Sequence, residues 1–64
     1  MNKQELEKLL KGYQNIKVGK NQIYLDGELF VVEKFEYVDN GVDMFSVVDG
    51  FENIEDAIRV AKTL

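Results

Sequence analysis

Apolar residues fall along this chain in two alternating rhythms. Leu6, Leu9, Leu10 and Tyr13 recur at i, i+3, i+4 and i+7, one stripe of a helix with a 3.6-residue period. Asn2 with Glu5 three residues later makes a capping-box start, and Gly12 suits a left-handed stop. A helix over about Lys3 to Lys11 is predicted. The rhythm then changes to period two. Ile16 and Val18 alternate with polar neighbours, "QIYL" and "ELFVV" flank Asp26-Gly27, and "KFEYVD" and "VDMFSVV" flank Asn40-Gly41. Asp-Gly and Asn-Gly are the preferred type I′ hairpin dipeptides, so three meandering strands are predicted, with Ile16 and Val18 as a short edge strand before them. The helical rhythm returns at the end. Ile54, Ala57, Ile58, Ala61 and Leu64 form an apolar stripe behind Asn53 and Asp56, a second capping-box-like start. Glu52, Glu55 and Asp56 suit the positive end of that helix, and Arg59 and Lys62 its negative end. Glu55 and Arg59 are spaced i, i+4 in the favourable order.

The expected fold is therefore α+β: an N-terminal helix, a three- to four-stranded antiparallel meander, and a C-terminal helix packed on the sheet. Nothing marks a boundary inside residues 1–64, which read as one domain. A two-residue Asp26-Gly27 turn sets Ile23 opposite Phe30 and puts Ile23, Leu25, Phe30 and Val32 on one face. A β-bulge near residues 33–34 returns Phe35 and Tyr37 to that face, with Met44 and Val48. Tyr24, Leu29, Val31, Phe45 and Val47 then share the other face with Lys34, Glu36 and Asp43. Half-exposed sheets usually show one polar face, and this one shows none. Either a helix covers each side, or both helices share a side and the second face is a binding surface.

Charge sharpens that choice. The net charge of −4 conceals a segregation: residues 1–22 carry five lysines against two glutamates, residues 23–58 ten carboxylates against Lys34, and Arg59 and Lys62 follow. An acidic middle disfavours phosphate and nucleic-acid binding there and suits a basic protein partner. There is no His, Cys or Trp, which excludes histidine acid–base chemistry, thiol nucleophiles and thiolate metal sites. "DNGVDMFSVVDG" fails the calcium-loop spacing, because Gly41 comes too soon after Asp39. No Gly-rich phosphate loop opens a helix after a strand. Catalytic, cofactor and metal residues are accordingly not assigned. The start "MNKQELEKLL" lacks the apolar run of a signal peptide and no stretch reaches membrane-spanning length, so the chain reads as cytoplasmic with no membrane partner.

Two resemblances bear on function. Strands followed by "GFENIEDAIRVA" resemble the arm-type DNA-binding domain of phage integrases, with Phe51, Asn53, Asp56 and Ala57 matching its helix start over about half the chain. That family's basic sheet residues are replaced here by Glu33, Glu36, Asp39 and Asp43. In size, acidity and α+β architecture the whole chain is similar to small phage-encoded inhibitors of the anti-CRISPR type, some of which offer carboxylates where a nuclease expects phosphates. The leading expectation is thus a non-enzymatic, phage- or mobile-element-encoded module. Its acidic face would bind and inhibit a basic host protein, through Glu33, Glu36, Asp39 and Asp43, with Tyr24 and Phe45 as aromatic anchors. One alternative is a DNA-binding accessory of the excisionase or integrase-arm type, using Lys17, Lys20 and Lys34. The other is a homodimer that buries the second sheet face against its own copy.

Overall fold

The computed structural model of the protein describes residues 15–64. Four strands, β1 (Ile16–Val18), β2 (Asn21–Asp26), β3 (Leu29–Asp39) and β4 (Val42–Phe51), precede one helix, α1 (Ile54–Thr63). The strands form a single antiparallel sheet in the order β1-β2-β3-β4. The two-helix architecture expected from the sequence pattern is corrected. The described chain is a mostly-sheet α+β unit, four strands with one C-terminal helix. Ile16 and Val18 are full members of the sheet, paired with Ile23 and Asn21. The expected helix over Lys3 to Lys11 lies outside the described residues.

The turns follow from backbone chemistry, with one change. Asp39 pairs with Val42 across Asn40-Gly41, whose φ values of 52° and 80° are the double positive φ that a type I′ turn demands. At the β2–β3 hairpin, Asp26 pairs with Leu29, so the central residues are Gly27 and Glu28 rather than Asp26 and Gly27. Gly27 alone has positive φ, at 62°, the requirement of a type II′ turn. Ile23 therefore pairs with Val32, not Phe30. That slip moves each partner by two residues, an even number, so every side chain keeps its expected face.

There are two bulges, one at the expected level of the sheet but on the other strand, and one that was not expected. Val32 pairs with Asp49 and Glu33 with Val47, leaving Val48 as the extra residue on β4. Phe35 pairs with Phe45 and Tyr37 with Met44, leaving Glu36 as the extra residue on β3. The expected bulge at residues 33–34 would have put Phe35 beside Tyr37. The observed one at Glu36 separates them, and Phe35 shares a face with Phe45.

Helix α1 covers one face of the sheet and touches all four strands. Its buried residues, Ile54, Ala57 and Ala61, meet Ile23, Phe30 and Val32 of β2 and β3. Ile16, Val18, Leu25, Phe51, Ile58 and Val60 surround this core. The two alanines let helix and sheet approach closely, and Ile23, Val32 and Ile54 are completely enclosed. Each such side chain contributes about 1.5–3 kcal/mol by leaving water. Asn53 caps the helix in extended conformation, its Oδ1 accepting from the Glu55 amide at 2.8 Å. Arg59 pairs with Asp56 at 3.0 Å on the surface, an i, i+3 contact of small energetic weight.

Candidate functional site

Strands β3 and β4 are much longer than their neighbours. The last residue of β3 that pairs with β2 is Glu33, opposite Gln22. Beyond it β3 pairs only with β4, from Lys34–Ser46 to the Asn40-Gly41 turn. Residues 34–46 thus form a two-stranded ribbon that extends past β2. A lone ribbon cannot enclose its side chains, and this one exposes apolar groups: Tyr37 at 58%, Val38 at 56% and Val42 at 59%, with Met44 also open. From Phe35 to Val48 there are three carboxylates, Glu36, Asp39 and Asp43, and no Lys or Arg.

The four acids singled out from the sequence all map to this ribbon or its base, but not to one face. Glu33 stands at the base, half-buried, accepting from Gln22 Nε2 at 2.6 Å. Glu36 occupies the bulge and accepts from the Ser46 hydroxyl. Asp43 pairs with Val38 and Asp39 with Val42, two successive rungs, so the pleat sends Asp39 and Asp43 to opposite faces. A partner must embrace the ribbon's tip to meet both.

The two aromatic candidates sit apart from the tip. Phe45 is half-buried and meets Phe35 edge to face, centroids 5.9 Å apart at 76°. Lys17 of β1 lies over the Phe45 ring at 4.6 Å. Phe45 therefore helps tie the base of the ribbon to the sheet. Tyr24 lies in the body of the sheet, opposite Val31. Its phenol is held above the usual tyrosine range by burial first, then by the carboxylates of Glu33 and Asp26. Val31 and Gln22, on the face away from α1, are also buried. Gln22 gathers a polar network there, its Oε1 accepting from Asn15 Nδ2 and Lys17 Nζ, each at 3.3 Å.

Of the lysines of the DNA-binding alternative, Lys17 and Lys20 meet at one aromatic pair, and Lys34, on the neighbouring rung, leaves the strand on the other face. Lys17 lies over Phe45, Lys20 over the Phe35 ring at 5.8 Å, and Lys34 begins the ribbon opposite Ser46. The exposed tip of Tyr37, Val38, Val42 and Met44 was not foreseen, because the alternation set Tyr37 and Met44 on the same sheet face as Ile23, Leu25, Phe30 and Val32. Their alternation is that of a buried face; only the length of β3 relative to β2 hinted that nothing would cover them.

Among the described residues, no group of carboxylates is arranged to hold a metal ion, and no helix is long and apolar enough to cross a membrane. Comparison with protein-family models, with curated proteins and with solved structures finds no match.

Proposed function

We propose that this chain is a non-enzymatic protein-binding module whose β3–β4 ribbon occupies a basic surface on its partner. The observation that carries this reading is the ribbon tip. Tyr37, Val38 and Val42 are exposed beside Glu36, Asp39 and Asp43, without a single cation between Phe35 and Val48. Apolar groups left in water supply binding free energy when covered, about 25 cal/mol for each Å² removed from solvent. The carboxylates add long-range attraction toward positive surfaces and reject negative ones. A slender arm with acids on both faces fits a cleft that normally receives a phosphate backbone. The likeness to small phage-encoded inhibitors gives the setting: a cytoplasmic inhibitor, encoded by a phage or mobile element, that mimics DNA toward a host nucleic-acid-binding protein. The absence of His and Cys, with no group of three or more carboxylates placed to hold a metal ion among the described residues, favours binding over catalysis.

The test compares the wild-type chain with the double variant Glu36→Lys, Asp43→Lys as immobilised baits in lysate of the source cell's host. Both positions are exposed, so the fold is expected to persist, which circular dichroism checks. Wild type should retain basic, nucleic-acid-binding proteins in a salt-sensitive way, and the variant should lose them at least tenfold. Equal capture by both overturns the reading. Salt-sensitive gel shifts of duplex DNA by the wild type would instead favour the arm-type alternative through Lys17, Lys20 and Lys34. A sedimenting dimer with the ribbon protected would favour the homodimer.

A further inference from the structure

We infer that the cleft between the β1–β2 turn and the end of α1 is a binding site for phosphate monoesters carrying an apolar or aromatic body. The cleft has a volume of about 440 Å³, within the size of small-molecule sites. Val18, Phe35 and Ala61 supply an apolar wall, and Lys20, Lys34 and Lys62 stand around it. These residues come from the β1–β2 turn, the base of the ribbon and the last turn of the helix. Only the folded chain brings them together.

The cations of this cleft are not tied up in ion pairs. Among the described residues no carboxylate forms an ion pair with Lys20, Lys34 or Lys62, and the ion pair on the helix joins Arg59 to Asp56. This occurs in a chain with twelve acids and eight bases, where carboxylates outnumber cations. Three ammonium groups around one concave surface repel one another, and a dianion between them relieves that repulsion. The end of α1 opposes an anion with about half an elementary charge, a small term against three positive ones. Lys62 also stands in the last turn of the helix, whose carbonyl end favours a cation, and Lys20 stands over the Phe35 ring, but neither contact neutralises its charge.

The wall is already organised. Asn21 lines the cleft and spends both of its polar groups inward, donating to the Ala61 carbonyl and accepting from the Phe35 amide, each at 3.0 Å. It shapes the site without competing for ligand. The Lys20 ammonium stands 5.8 Å from the centroid of the Phe35 ring, so a cation lies directly beside the apolar wall. Charge alone would select inorganic phosphate, and the apolar wall alone a neutral aryl compound. The combination selects a molecule with both, independently of any partner at the ribbon tip.

The experiment is a titration of the ¹⁵N-labelled chain of residues 1–64, at low ionic strength, with phenyl phosphate, inorganic phosphate and benzyl alcohol as separate probes. Phenyl phosphate should saturate with a Kd below about 1 mM, shifting the amides of Val18, Lys20, Ala61 and Lys62. Each of the other probes should bind at least tenfold more weakly. The double variant Lys34→Gln, Lys62→Gln, altered only at exposed positions, should keep its spectrum and lose at least tenfold in phenyl phosphate affinity. Non-saturating shifts, shifts centred on other residues, inorganic phosphate binding as tightly as phenyl phosphate, or an unaltered Kd in the variant would each overturn the assignment.

Discussion

The side-chain amide of Asn21 reaches across forty residues of chain to donate to the carbonyl of Ala61, 3.0 Å away. Asn21 follows the β1–β2 turn, and Ala61 lies in the last turns of α1. The same side chain accepts from the Phe35 amide at the base of the ribbon. One residue, only 7% exposed, thus fastens the helix, the first hairpin and the ribbon to one another.

Removing that clamp should cost more than an ordinary surface change. Asn21→Ala leaves a buried amide and a buried carbonyl without partners, and should lower stability by about 1–3 kcal/mol. Asn21→Asp is more informative. The ionised carboxylate of that variant can still accept from Phe35 but turns a negative oxygen toward the Ala61 carbonyl. Protonation restores a donor. The variant should therefore gain stability, relative to wild type, as pH falls through the carboxylate range. Urea unfolding followed by circular dichroism at pH 7 and pH 4 checks both outcomes.

Tyr24 makes a prediction at the other end of the pH scale. Burial and the Glu33 and Asp26 carboxylates all penalise its phenolate in the folded state. A folded pKa raised above the unfolded value means that the native state holds this proton more firmly. Its contribution is fully present below the ordinary tyrosine pKa, about 10, and is lost as pH climbs through the higher folded value. Absorbance titration at 295 nm should show one tyrosine ionising above the ordinary range, and Glu33→Gln should bring it down. An unmoved upper transition in Glu33→Gln would show that the carboxylate has no part in it.

The ribbon depends on its turn. Gly41 has φ of 80°, where an added Cβ meets no neighbouring atom but is strained by the backbone alone. Gly41→Ala should cost about 1–2 kcal/mol, while Asn40→Gly, replacing a residue at φ of 52°, should change stability little. Chemical denaturation of both variants checks the contrast. Exchange of the Tyr37 and Met44 amides should accelerate more in Gly41→Ala than exchange of the Ile23 and Val32 amides, because the first pair lies near the turn in the unsupported part of the ribbon.

Local chemistry made much of the fold legible. Alternation marked Ile16 to Val18 and the three later strands, Asn40-Gly41 specified its turn, and Asn53 announced the helix whose Ile54, Ala57 and Ala61 enter the core. Even a β2–β3 register two residues out preserved the faces of Ile23, Leu25, Phe30 and Val32, since such a slip leaves the pleat unchanged. The bulges were legible only in part: the broken alternation at Glu33-Lys34 marked the level of one, but not that its extra residue lies on β4, and nothing marked the one at Glu36. An extra residue at Glu36 or Val48 breaks no local rule of composition; it is placed by how two twisted strands must curve to meet the helix and the shorter β2. That placement sends Phe35 to Phe45 and away from Tyr37, while the helix packed on the sheet brings Lys62 to the cleft that Lys20 and Lys34 also line. Sequence by itself determined which residues are apolar, which are charged and where the chain turns. Only the tertiary structure decided which of them face each other, because facing depends on the count of residues between distant pairings, a quantity that no single segment encodes.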